Sequence, residues 1–194
     1  MNLITDIKEM AYLWKHRKDV KEGLGVHGHV FTEHFHAKTG IWDPMVDEGH
    51  NTFTTEGMAL ILNTIFKAGS AIPAVYCGIF LANVTPALAD TAAAKLGAAG
   101  TYEEGQDAAY TPNTNRPAYT IATTATAAIT NTASKAAFTG VAASDVWYGA
   151  FLCTAQAKTA TTGTLLCAKK FTTAKTVEAA DVINVLYEVS LTTS

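Results

Sequence analysis

The chain has 194 residues, 48% of them apolar and 16% charged, and carries a net charge of −3. That is enough for one domain with a sizeable core, while the weak charge and the lack of a long basic run exclude general nucleic-acid binding, which needs a dense cationic surface. No stretch approaches the roughly 18 apolar residues of a membrane span, and the start MNLITDIKEM lacks the basic lead and apolar run of a secretion signal.

Residues 2–20 have helical periodicity, with Leu3, Ile7, Met10 and Trp14 on one face and Asp6, Lys8, Glu9 and Lys15 off it. Gly23 and Gly25 end this helix. The sequence offers it no internal partner, so residues 1–25 read as an arm that packs on the body or on a neighbouring subunit. The basic KHRK at Lys15–Lys18 reads as a solvated helix end.

Residues 26–194 read as the main domain. From Val26 the residues alternate into a hairpin strand that turns at Lys38-Thr39-Gly40, with Trp42 and Asp43-Pro44 leading on. Spacings of two put His27 with His29, and His34 with His36, on single strand faces. Such clusters suit a metal site, a polar strand face or a subunit interface, and spacing does not decide among them. Asp43, Asp47 and Glu48 with His50 read as a hydrated turn.

The next element is a helix over 54–68, with Thr54 or Thr55 as N-cap and Glu56 in the positive first turn. Met58, Leu62, Ile65 and Phe66 recur at helical spacing with Ile61 beside them, and Ala68-Gly69 is the stop. This helix is expected to cover an edge or face of the sheet that follows.

Ala74–Leu81 and Val146–Ala155 are apolar on both faces and belong in the middle of a sheet. Residues 83–114 read as a long loop for binding or movement, with one helical turn near Asp90–Leu96. Tyr119–Ile129, Ala136–Val141, Gly163–Phe171 and the cleanly alternating Val182–Leu191 complete seven or eight strands. The expected fold is mainly β: a β-sandwich or jelly-roll-like domain with one covering helix and an N-terminal helical arm.

Chemistry is sparse. The serines sit in turns or at the end, no G-x-S-x-G elbow or phosphate loop is present, and Glu103-Glu104 with Asp107 reads as a solvated acidic loop. Cys77, Cys153 and Cys167 lie in apolar runs and read as buried free thiols of a protein folded in a reducing cytoplasm. The reading is of a non-enzyme with no catalytic, cofactor-binding or metal residues assigned.

Several segments carry a resemblance: HNTFTTEGMALILNTIF, VYCGIFLANVTPALADTAA, NRPAYT, VWYGAFLCTA, GTLLCAKKF and VINVLYEVSL. Their order resembles that of tailed-bacteriophage virion proteins, from about Gly49 to the C-terminus. The resemblance implies a capsid cement or decoration protein, or a tail, collar or baseplate component, found in the virion after assembly in the host cytoplasm. The implied partners are the major capsid protein or other virion subunits and further copies of the chain, as a dimer or trimer. Leu3, Ile7, Met10, Trp14 and Trp42 are the candidate interface residues. A receptor- or glycan-binding module is the other reading, with Trp42, Trp147 and Tyr148 as stacking candidates, although Trp147 and Tyr148 sit in a core-like strand.

Overall fold

The computed structural model describes residues 24–67, 74–112, 114–121 and 127–193. The expected N-terminal helix, with Leu3, Ile7, Met10 and Trp14, lies outside them, as do the KHRK cluster and the Ala68-Gly69 stop. The chain runs through β1 (Leu24–His36), β2 (Ile41–Trp42), β3 (Val46–His50), β4 (Thr52–Phe53) and helix α1 (Thr55–Phe66). It continues through β5 (Tyr76–Phe80), short helix α2 (Ala92–Lys95), β6 (Tyr110–Thr111) and β7 (Ala128–Thr130). The last strands are β8 (Ala136–Gly140), β9 (Asp145–Cys153), β10 (Leu165–Val177) and β11 (Val182–Thr193).

These strands form two antiparallel sheets, the mainly β sandwich that the sequence predicts. The first has the order β2-β1-β11-β8-β6, with β3 also on β1 and β7 also on β11; the second is β4-β10-β9-β5. The strands beyond the expected seven or eight are short or charged: β2, β4 and β6 have two residues each, too few to alternate. The longest ladder joins β1 to β11, in register from Leu24↔Thr193 to Phe35↔Val182. It turns Gly28, Val30, Thr32 and His34 inward opposite Val189, Tyr187, Val185 and Ile183.

The core has two compartments. Between the sheets, Val30, Phe138, Ile183, Val185 and Tyr187 meet Cys77, Ile79, Trp147, Ala150, Leu152 and Cys167. On the other side of the second sheet, Phe80, Phe151, Cys153 and Leu165 pack with Leu96 and Tyr102. β5 and β9 are apolar on both faces because a layer lies on each side of them. The outer layer is the segment over 83–114, where the sequence predicted a surface loop. It is a packed cover that buries Leu96, Tyr102 and Glu104, before the chain enters the first sheet at β6 and Tyr110 joins the core between the sheets.

Helix α1 begins as predicted. Thr54 caps it by accepting from the Gly57 N–H at 3.0 Å, and Glu56 stands in the first turn. The Thr54 hydroxyl also donates to the Leu165 carbonyl, and Glu56 accepts from the Ala92 and Leu165 N–H groups at 2.7 and 2.5 Å. The helix docks differently from its hydrophobic pattern. Gly57 is its buried residue, and a Cβ there would stand 2.3 Å from the Leu166 carbonyl oxygen, so glycine permits the approach. Leu62, Ile65 and Phe66 are exposed, Phe66 by 74%.

Ile79, Trp147, Phe151, Leu165, Val185 and Tyr187 are all fully buried, as their strand positions predict, though Phe151 and Leu165 lie in the outer compartment. Val185→Asp is expected to destabilise the domain by several kcal/mol, the penalty for an unpaired buried charge. A urea midpoint equal to the parent's would show that β11 is wrongly placed in the core.

Candidate functional site

β1 divides its histidines by parity. His27 and His29 fall on the outer face of the first sheet, while His34 and His36 fall on the inner side near its end. On the outer face, His29 Nε2 is paired with Asp47 Oδ1, and the His29 ring lies 4.8 Å from both His50 and Phe31. His27 stands farther off, 6.4 Å from the His50 ring.

The second group is tighter. The His34 and His36 rings are 4.0 Å apart. β2 returns along β1 through Phe35↔Trp42 and His36↔Ile41, and the Asp43 N–H donates to the His34 carbonyl at 2.7 Å. This places Asp43 Oδ2 3.0 Å from His36 Nε2. Asp181, from the β10–β11 turn, lies behind them with Oδ2 3.3 Å from His34 Nε2 and 3.8 Å from His36 Nδ1. It is held by the Ala37 N–H at 2.8 Å and the Glu178 N–H at 3.0 Å. Burial, reinforced by His36, holds His34 below the ordinary histidine value despite the pull of Asp181. Burial would raise the Asp181 carboxyl, but the Glu178 and Ala37 N–H groups and His34 keep it below the ordinary range. Sequence spacing found the histidine pair; it missed Asp181, which lies 147 residues from His34.

Two acidic groups that the sequence placed in water are buried. Glu104 is 2% exposed and meets Arg116 in a bidentate pair, with Nε at 2.6 Å and Nη2 at 2.7 Å. The Gly97 N–H also donates to Glu104 at 2.9 Å, and Arg116 donates to the Ala155 and Ala160 carbonyls at 2.7 and 3.1 Å. Burial pushes the Glu104 carboxyl up, against the pull of Arg116. Burial also opposes the charge of Arg116, but Glu104 more than offsets this and holds it above its ordinary value. The two pulls disagree over the proton; the bidentate geometry with a third donor on the carboxylate is that of the ionised pair.

Glu48 is the second correction. The Thr32 hydroxyl (2.6 Å), the Lys175 ammonium (2.9 Å) and the Thr172 N–H and hydroxyl (2.6 and 2.8 Å) surround it. Burial would raise this carboxyl, but these donors keep it below the ordinary range. Asp107 remains half-exposed, 3.4 Å from Lys158, whose ammonium donates to the Tyr110 carbonyl at 2.8 Å.

Cys77, Cys153 and Cys167 are free and buried, as predicted. Burial raises all three thiols, Cys153 to about 11. Trp147 is fully buried and Tyr148 half-buried, which removes Trp147 as a stacking platform. Trp42 is 48% exposed beside Ile41 and Met45, and its ring lies 5.2 Å from Phe35. An open apolar groove of about 290 Å³ runs between the sheets beside α1, lined by residues that include Val26, Phe53, Ile65, Val75, Tyr119 and Val189. No family model, curated protein or solved structure matches the chain.

Three outcomes are expected. Arg116→Met leaves Glu104 buried without its cation and should cost about 3–5 kcal/mol, part of it recovered by adding Glu104→Gln; urea unfolding of the single and double variants measures this. The thiols should react slowly with a thiol reagent in the native state and all at once on unfolding, because buried thiols meet little reagent. The His34 effect has a definite sign. Its folded value lies below the ordinary 6.5, so acid protonates the unfolded chain first, and stability is lost as pH falls through 6.5 toward the folded value. Melting temperatures in chelator-containing buffer should show this loss, and His34→Gln should remove it.

Proposed function

We propose that the chain is a non-enzymatic virion structural protein of a tailed bacteriophage, a capsid cement or decoration protein that stabilises contacts between capsid subunits. One observation carries the reading: Ile41, Trp42 and Met45 are 61%, 48% and 55% exposed in one short stretch around β2. Apolar surface in water is unfavourable by about 25 cal/mol per Å², and a joint-filling protein covers such a strip against its neighbours. The order of motifs from Gly49 onward supports the same reading. So does the use of ionisable groups: Glu48, Glu104 and Arg116 are taken up by structural partners. The partners in this proposal are the major capsid protein or other virion subunits, with the chain as a dimer or trimer. A jelly-roll-like winding of the sandwich belongs to the same proposal, as does the arm, with Leu3, Ile7, Met10 and Trp14 as interface residues.

A tail, collar or baseplate position would use the same surface. The half-exposed Trp42 beside Phe35 also favours a second reading, a glycan-binding module with Trp42 as its stacking residue.

Cosedimentation of the purified protein with intact capsids tests the first reading. Binding is expected, and Trp42→Ala with Met45→Ser should lower occupancy without changing the melting temperature. Deleting residues 1–22 should leave the domain folded by circular dichroism but reduce occupancy or oligomer stability. Absence of capsid binding together with a Trp42-dependent signal on a glycan array would overturn it in favour of the second.

A further inference from the structure

The geometry points to a binding site for a zinc-class divalent ion formed by His34, His36 and Asp43, with Asp181 as the carboxylate behind the two imidazoles. The inference is independent of the proposed function. Three unlike parts of the chain meet at this point: the end of β1, the residue after β2, and the turn between β10 and β11. One potential ligand atom from each of His34, His36 and Asp43 lies within 4.8 Å of the others. A tetrahedral ion with bonds of about 2.0–2.2 Å needs donors spaced about 3.3 Å apart. His36 Nε2 and Asp43 Oδ2 already stand 3.0 Å apart, close to that spacing, on side chains that are 37% and 49% exposed. His34 is buried and fixed, so it supplies the anchored ligand.

Donor chemistry selects the ion. Two imidazoles and a carboxylate suit zinc, cobalt or nickel, whereas magnesium and calcium prefer oxygen throughout. Asp181 can act as outer-shell partner. It is hydrogen-bonded to the His34 ring at 3.3 Å, stands 3.8 Å from His36 Nδ1, and is itself held by two backbone N–H groups, the kind of support that orients a ligating histidine. Two carboxylates beside two imidazoles also concentrate negative charge that a dication neutralises. Three donors from the chain leave at least one coordination position for water or for a donor from another molecule. The outer histidines do not match this: among the described residues they form no such group of three ligand atoms, and His27 stands 6.4 Å from His50.

The test is titration of the full chain, free of any histidine tag, with zinc sulfate by calorimetry, beside melting curves at increasing free zinc. One zinc per chain is expected, with a melting temperature that climbs with the logarithm of free zinc. Magnesium and calcium should give no shift, and cobalt should give the visible absorption of mixed nitrogen and oxygen coordination. His36→Ala and Asp43→Ala should each weaken zinc binding at least about tenfold, with circular dichroism melts in chelator matching the parent's. His29→Ala should leave affinity unchanged. The site is overturned if the parent shows neither heat nor melting shift with zinc, if the His36→Ala/Asp43→Ala double variant keeps full affinity, or if His29→Ala abolishes binding.

Discussion

The pairing of Arg116 with Glu104 is the contact on which the outer layer of this protein depends. Arg116 reaches two carbonyls of the β9–β10 connection as well as Glu104, and its own N–H donates to the Gln156 carbonyl at 2.8 Å. Glu104 in turn accepts from Gly97, so one ion pair ties three stretches of chain. What it holds down is a cover with few large apolar residues, chiefly Leu96 and Tyr102 against Phe80 and Phe151. A buried ion pair adds little net stability over an apolar filling of the same volume, because desolvation opposes its attraction. Its effect here is positional. Each charge has one satisfying location, so a segment rich in alanine and glycine acquires a single seat.

The inner compartment uses the same device between the sheets. Regular pairing of β10 with β9 is interrupted between Lys170 and Lys175. In that interval the Thr172 N–H turns to Glu48 of β3, and Lys175 joins it from the same strand. Thr32 of β1 completes the set, so a buried carboxylate links both sheets. Asn131 does comparable work on the far edge of β11. β7 and β8 both pair there, and the Asn131 side chain spans the gap between them through the Val185 carbonyl and the Tyr187 N–H.

What the sequence disclosed follows from the range of each interaction. The alternation of β11 and the doubly apolar runs of β5 and β9 are local patterns, and they gave the sandwich and its core residues. The Thr54 cap and Glu56 are also local. The docking face of α1 was misread because the closest approach is made by Gly57, which carries no hydrophobic signal, with Leu60 packed against the core, while Leu62, Ile65 and Phe66 carry a strong one. Glu48 and Glu104 read as solvated because burial of a carboxylate depends on its donors. Those of Glu48 include Thr172, 124 residues away, and Lys175 beyond it, and that of Glu104 lies beyond a stretch of weak pattern. The Arg116 that seats Glu104 belongs to the NRPAYT segment, whose arginine thus has a structural task.

The candidate site and the exposed strip share one support. β2 has only two residues and two register pairs to β1, too little backbone pairing to hold an exposed Trp42 in place. Side chains supply the remainder: Phe35 against Trp42 on one side of the hairpin, and His36 with Asp43 on the other. Asp181 fixes the base through the Ala37 N–H, at the first residue of the turn. The polar cluster therefore lies directly under the apolar surface best suited to contact, and Asp43 is bonded to Trp42 in sequence. His34, His36, Asp43 and Asp181 therefore form the footing of Trp42 within one residue of chain. An ion held by His34, His36 and Asp43 would brace this hairpin from its inner side, where two register pairs alone leave it weakly tied.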